Sequence, residues 1–130
     1  MSMTIWDFVG HYEANNPSEL ESVLRKKYGP GVNGFWLSHD KERNPTLALL
    51  VKGDLATLSY FPSPAHPGFT PVGGIEGLDK NGTTTFSIDT IEQETEFPNE
   101  QVVPFSTALS VAKDFLTSKE LPRSIEWTEL

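Results

Sequence analysis

Two apolar runs, 46–52 and 55–61, are separated by nothing but Gly53-Asp54. A two-residue Gly-Asp linker favours a tight turn, and a tight turn between two strand-like runs makes an antiparallel hairpin. A third short run, 34–38, precedes it across a loop that ends at Asn44-Pro45. All three read as strands, each bounded by turn chemistry.

Upstream, Asn16-Pro17-Ser18-Glu19 marks a helix start: Asn16 caps, Pro17 suits the first helical position and Glu19 completes a capping box. Leu20, Val23, Leu24 and Tyr28 recur at helical spacing, Glu21 can pair with Arg25 one turn on, and Gly29 supplies a left-handed stop, so the helix is expected over 17–28. Downstream, Pro62, Pro64, Pro67, Pro71 and Gly73-Gly74 make 62–77 an irregular surface segment with a short edge strand near 69–72. A second β region follows Asn81-Gly82, over 83–88 and 92–97, with the apolar parity shifting between Ile88 and Ile91 as across a bulge or turn. Phe105, Ala108, Leu109, Ala112, Phe115 and Leu116 recur on one face of a second helix that starts near Pro104 and stops before Pro122. Alternation over 124–128 suits a final returning strand. The order β-α-β-β-β-β-β-α-β predicts an α+β fold, a mainly antiparallel β-sheet with two principal helices packed on one face, in a single domain over 1–130. Met1-Ser2, ahead of a second Met at position 3, reads as an expression remnant and is left out of this argument.

The chain carries 18 Asp+Glu against 10 Lys+Arg, a net charge of -8 at pH 7 with its three His neutral. Nucleic-acid binding needs a basic stripe to displace counterions, so this balance argues against direct contact with DNA or RNA. The acidity is regional: residues 1–75 hold seven acids and six bases, 76–130 eleven acids and four bases. Eight Phe, three Trp and three Tyr supply more core material than a disordered acidic tail would carry. With no Cys, there is no disulfide, thiolate nucleophile or Cys-ligated metal. No run approaches the ~20 apolar residues of a membrane span, and the N-terminus lacks the basic-then-apolar layout of a signal peptide, so a cytosolic protein is expected.

His11, His39 and His66 raise the question of a metal or catalytic site, above all His39-Asp40 and His11-x-Glu13, but their spacing matches no ligand pattern and surface or turn histidines are the stronger reading. Gly73-Gly74 lacks the Gly-Lys-Ser/Thr and the helix start that a phosphate cradle needs. The unusual feature is Glu92-x-Glu94-x-Glu96: on a strand, three like charges would project from one face about 6.6 Å apart, comfortable only in water or against cations. With Asp89 beside them they form either a solvated sheet face or a docking surface for a basic partner. Tyr60, Phe61, His66 and Phe69 add aromatic side chains to a polar loop region, a composition found at interface anchors and equally in core packing. Trp6, Trp36 and Trp127 read as core.

A family resemblance rests on the C-terminal stretch. Glu96-Phe97-Pro98, Val103-Pro104, the helix over 108–115 and Leu121-Pro122-Arg123-Ser124-Ile125-Glu126-Trp127 are similar to the ending of the Imm-one family of bacterial polymorphic-toxin immunity proteins. The 49–53 hairpin, Leu58-Ser59-Tyr60-Phe61 and the Gly-rich turn after it resemble that family's central strands, so the likeness spans most of 34–128. The resemblance implies an inhibitor rather than an enzyme, without catalytic residues or a cofactor, that binds a secreted toxin, often of the nucleic-acid deaminase fold. Its contact residues vary with the toxin, so the candidate partner-binding residues rest on the physics above: Tyr60, Phe61, His66, Phe69, Asp89, Glu92, Glu94 and Glu96. The expectation is a cytosolic immunity protein that covers the active-site entrance of a basic, nucleic-acid-acting toxin, a cytidine deaminase first and a nuclease second. The rival readings are an acidic adaptor for a basic protein or peptide and a small hydrolase using His66 or His39.

Overall fold

A computed structural model describes residues 2–39 and 44–130. In chain order the elements are β1 (Met3–Trp6), β2 (His11–Ala14), α1 (Pro17–Leu24), β3 (Val32–His39), β4 (Thr46–Lys52), β5 (Leu55–Phe61), β6 (Phe69–Pro71), β7 (Thr83–Ser87), β8 (Glu94–Pro98), a 3-10 turn (Asn99–Gln101), β9 (Val102–Pro104), α2 (Phe105–Ser118) and β10 (Trp127–Glu129). Eight strands form the main sheet in the order β10-β6-β5-β4-β3-β1-β2, with β9 also paired to β5; β7 and β8 form a separate two-stranded sheet. Every strand pairing given is antiparallel, as the sequence led us to expect.

The Gly53-Asp54 turn forms as expected: Gly53 takes φ +58 and Lys52 pairs with Leu55. From there β4 and β5 stay in register to Thr46 opposite Phe61. Two short strands lie outside the expected pattern, β2 and β9. The chain before α1 is a hairpin, β1–β2, rather than one strand, and β9 occupies the near half of the β5 edge while β6 pairs at the far end through Tyr60 and Phe69. Consequently β6 is not an edge, since β10 pairs on its outer side through Trp127–Pro71, Thr128–Thr70 and Glu129–Phe69.

Helix α1 starts where its cap predicts. The Asn16 Oδ1 accepts from the Glu19 N–H at 2.9 Å, and the Glu19 carboxylate accepts from the Asn15 N–H at 2.8 Å. It ends at Leu24, a turn earlier than expected, because the Tyr28 N–H bonds the Val32 carbonyl at 2.9 Å and draws that residue into a bridge with β3. Helix α2 ends on Lys119 in the left-handed region, φ 58, and one of its last carbonyls, Leu116, accepts from His39 Nε2 at 3.3 Å. A Lys113–Glu21 pair at 2.7 Å links the two helices, and Glu21 also pairs with Arg25, one turn on at the C-cap of α1, at 2.9 Å.

Both helices cover one face of the sheet. Leu47, Leu49 and Val51 of β4 pack there with Phe35, Leu37, Leu58, Leu20, Leu24, Ala112, Phe115 and Leu116. The alternate residue Leu50 points the other way, into a second small cluster with Phe86, Val102 and, at its margin, Phe97. The run TLALLVK lacks alternation because both of its faces are covered. The β7–β8 sheet therefore lies across the face opposite the helices, near β3 and β4.

Candidate functional site

Residues 76–100 contain seven acids, Glu76, Asp79, Asp89, Glu92, Glu94, Glu96 and Glu100, and one base, Lys80. All seven carboxylates are exposed. In the β7–β8 pair Phe86 and Phe97 turn toward the main sheet, so Glu94 and Glu96, opposite Ser87 and Thr85, point outward. The expected row of three is shorter by one: β8 begins at Glu94, and Glu92 lies in a turn. That turn is held by the Ile88 N–H on the Gln93 carbonyl, 2.7 Å, and the Gln93 N–H on the Thr90 carbonyl, 3.3 Å. Asp89 occupies it with φ 65. At the base of this acidic arm a cleft of about 590 Å³ opens between the 72–80 loop and the 3-10 turn, with Ile75 and Leu78 among its apolar lining and Glu76 and Glu100 among its charges.

The four aromatic candidates do not form one patch. Tyr60 is buried, its ring between Phe69, Phe115 and Trp127, and burial pushes its phenol above the ordinary value; because its β5 position points at α2, it presents no surface to a partner. Its neighbour Phe61 points to the opposite face, half-buried. His66 stacks on Phe69 at 5.0 Å, accepts the Gly68 N–H on Nδ1 at 2.8 Å and donates from Nε2 to Glu129 at 2.6 Å. Its ring thus clasps the 62–68 loop onto β10. Both nitrogens are occupied by structural bonds.

The other histidines divide as sharply. His39 is buried against the Phe115 ring at 4.7 Å, with Nε2 bonded to the α2 carbonyl described above, while Asp40 lies outside the described residues. His11 is exposed on β2. Among the described residues no group of three or more His, Asp or Glu is placed to hold a metal ion.

One surface escaped the sequence reading. On the face opposite the helices the acidic arm packs over the end of the sheet around Leu50, and beyond it, among the described residues, His11 and Trp6 are exposed and Trp36 and Ser59 half-buried, forming a partly open floor. One cross-strand row of it runs His11, Trp6, Trp36, Ala48, Ser59, each residue directly opposite the next. Trp6, expected in the core, is 53% exposed, with its ring 4.8 Å from His11. Trp36 is half-buried beside it. Trp127, by contrast, does pack on the core, with its indole N–H donated to the Pro122 carbonyl at 2.6 Å.

Between arm and floor sits Phe8, 6.5 Å from Trp36 and directly over Gly34, where a Cβ would come within 2.7 Å of the Phe8 ring. The absent side chain at Gly34 is what lets this ring lie on the sheet. Phe8 is held by the turn it belongs to. Burial alone would raise the Asp7 carboxyl, but the Gly10 and Val9 amides, the Asn33 amide and the Tyr28 hydroxyl all donate to it and hold it below the ordinary carboxylate value. Tyr28 in turn is raised, by its bond to Tyr12, by burial and by Asp7.

An α+β domain with one sheet face sealed by helices and the other bearing an acidic arm beside exposed aromatic rings is built to bind another macromolecule. Residues 11–129 match the family described as Immunity protein Imm1, and the chain belongs to that family. It is also similar to a double-stranded DNA deaminase immunity protein of Burkholderia cenocepacia (strain H111), 25% identical over 124 residues that cover 95% of this chain and 97% of that protein.

Proposed function

We propose that this chain binds a DNA-acting deaminase toxin domain in the cytosol of the producing cell and neutralises it by covering the entrance to its active site. The observation that carries the reading is the similarity along nearly the whole chain to a double-stranded DNA deaminase immunity protein. The charge distribution supports it. An enzyme that works on DNA must meet the phosphate backbone with positive charge. The arm over 76–100, with seven acids to one base, has the complementary sign and would speed capture by electrostatic steering. A deaminase must also take its target base out of the stack into a pocket, so an inhibitor that fills the mouth of that pocket needs neither a cofactor nor a catalytic group of its own.

The test uses the cognate toxin domain and a duplex DNA substrate containing cytosine. Equimolar chain is expected to abolish uracil formation. Undiminished deamination with the chain bound would remove the active-site part of the proposal, and loss of strand cleavage instead would reassign the toxin as a nuclease.

A further inference from the structure

We infer that the open floor around Trp6 and Trp36 is the affinity-determining half of the toxin interface, and that the acidic arm beside it governs only the rate of encounter. This deepens the proposed function and rests on it.

The composition of the floor is that of an anchor site. Two tryptophans stand directly opposite each other on β1 and β3, flanked by small residues, Ala48 and Ser59, that leave their rings accessible. The residue beside Trp6 on β2 is His11, whose ring lies against the indole and adds a polar edge. Large rigid rings among small neighbours bury much area at little conformational cost, which is why Trp dominates binding hot spots. From β2 to β5 the row crosses four strand spacings of about 4.8 Å, roughly 19 Å in all. With the arm alongside, this suits an interface burying about 800 Å² on each partner.

The arm identifies the occupant. It packs on the same face of the sheet as the floor, through Phe86 and Phe97 against Leu50, so a partner seated on Trp6 and Trp36 approaches a face that also carries the arm. A second copy of this chain brings the same net charge of -8 and the same arm of seven acids to one base, so like charge opposes its approach. A basic partner of the kind proposed above is attracted instead. The division of labour follows from exposure. Glu94 and Glu96 are exposed, so their contribution is long-range and screened by salt, whereas the tryptophans act only once the surfaces touch.

The experiment measures association and dissociation of the cognate toxin domain, carrying an inactivating active-site change, on the full chain. Trp6→Ala and Trp36→Ala are each expected to speed dissociation at least about 30-fold with association within about twofold. Glu94→Lys with Glu96→Lys is expected to slow association about tenfold at low salt, a difference that closes at high salt, with dissociation unchanged. Should Trp36→Ala unfold, Ser59→Arg, which adds bulk and a cation to the floor, is expected to abolish binding at an unchanged melting temperature. Tight wild-type binding that neither Trp6→Ala nor Ser59→Arg disturbs overturns the inference while leaving the proposed function standing. No binding by the wild-type chain overturns both. A free chain that sediments as a dimer, and as a monomer when Trp6→Ala is introduced, assigns the floor to a second copy and also overturns it.

Discussion

The two faces of the main sheet are built from the same strands and have opposite chemistry. On the helix side, Leu47, Leu49, Phe35 and Leu37 are fully buried with Phe115 and Leu116 of α2. On the other side the alternating residues are Trp36 and Ser38, half-buried, and the small, buried Ala48, with a second cluster where the arm crosses Leu50. Burying an aliphatic side chain contributes about 1.5–3 kcal/mol, so the helix face carries the stability of the fold. The open face retains large rings that folding does not use. The proposed binding surface and the folding core are separated by the thickness of one sheet.

The comparison can be broken first at its stronger side. Phe115→Ala removes a fully buried ring beneath α2 and is expected to cost about 3–5 kcal/mol, read from urea denaturation. Gly34→Ala tests the junction: its Cβ collides with Phe8, an overpacking that costs about 1–3 kcal/mol, and the same substitution should weaken toxin binding by displacing that ring. Asp7→Asn turns an amide N–H toward the donors Tyr28 and Asn33 and is expected to cost about 1 kcal/mol near neutral pH. Because the Asp7 carboxyl is held below its ordinary value of 3.8, its stabilisation is complete above that pH and is lost as pH falls through the lower, folded value. Melting curves of wild type and variant should therefore converge as the pH falls below 3.8. Smallest of all, Glu94→Lys with Glu96→Lys should shift stability by no more than about 0.5 kcal/mol, since both side chains are solvated. A large drop in melting temperature there would mean that the arm is part of the folding core after all.

Where local chemistry decides the structure, the sequence was readable. The cap at Asn16-Pro17, the Gly53-Asp54 turn, the strands over 46–52 and 55–61 and the helix after Pro104 all lie where periodicity and turn residues place them. The strands β2 and β9 were not readable, because four and three residues are too few to show alternation and each is fixed by a partner distant in sequence. The candidate site was legible in charge and illegible in geometry. The acids over 89–96 stand exposed as their spacing suggested, yet Tyr60 and Phe61, adjacent in sequence, point to opposite faces. Trp6 and Trp36 were read as core because tryptophan usually is; that the face they share is left uncovered follows from where the β7–β8 sheet lands. One signal was available: Trp36 alternates with Phe35 and Leu37 in β3, and three consecutive large apolar residues cannot all face the same layer.

The arm closes its hydrogen-bond ladder on itself, β7 to β8, as a sheet distinct from the main one. Substitutions at its outward positions therefore leave the register of the other eight strands untouched. In a contest where the toxin changes by mutation, such an arm lets the inhibitor's charge pattern drift and be reselected generation by generation while the inherited scaffold stays constant.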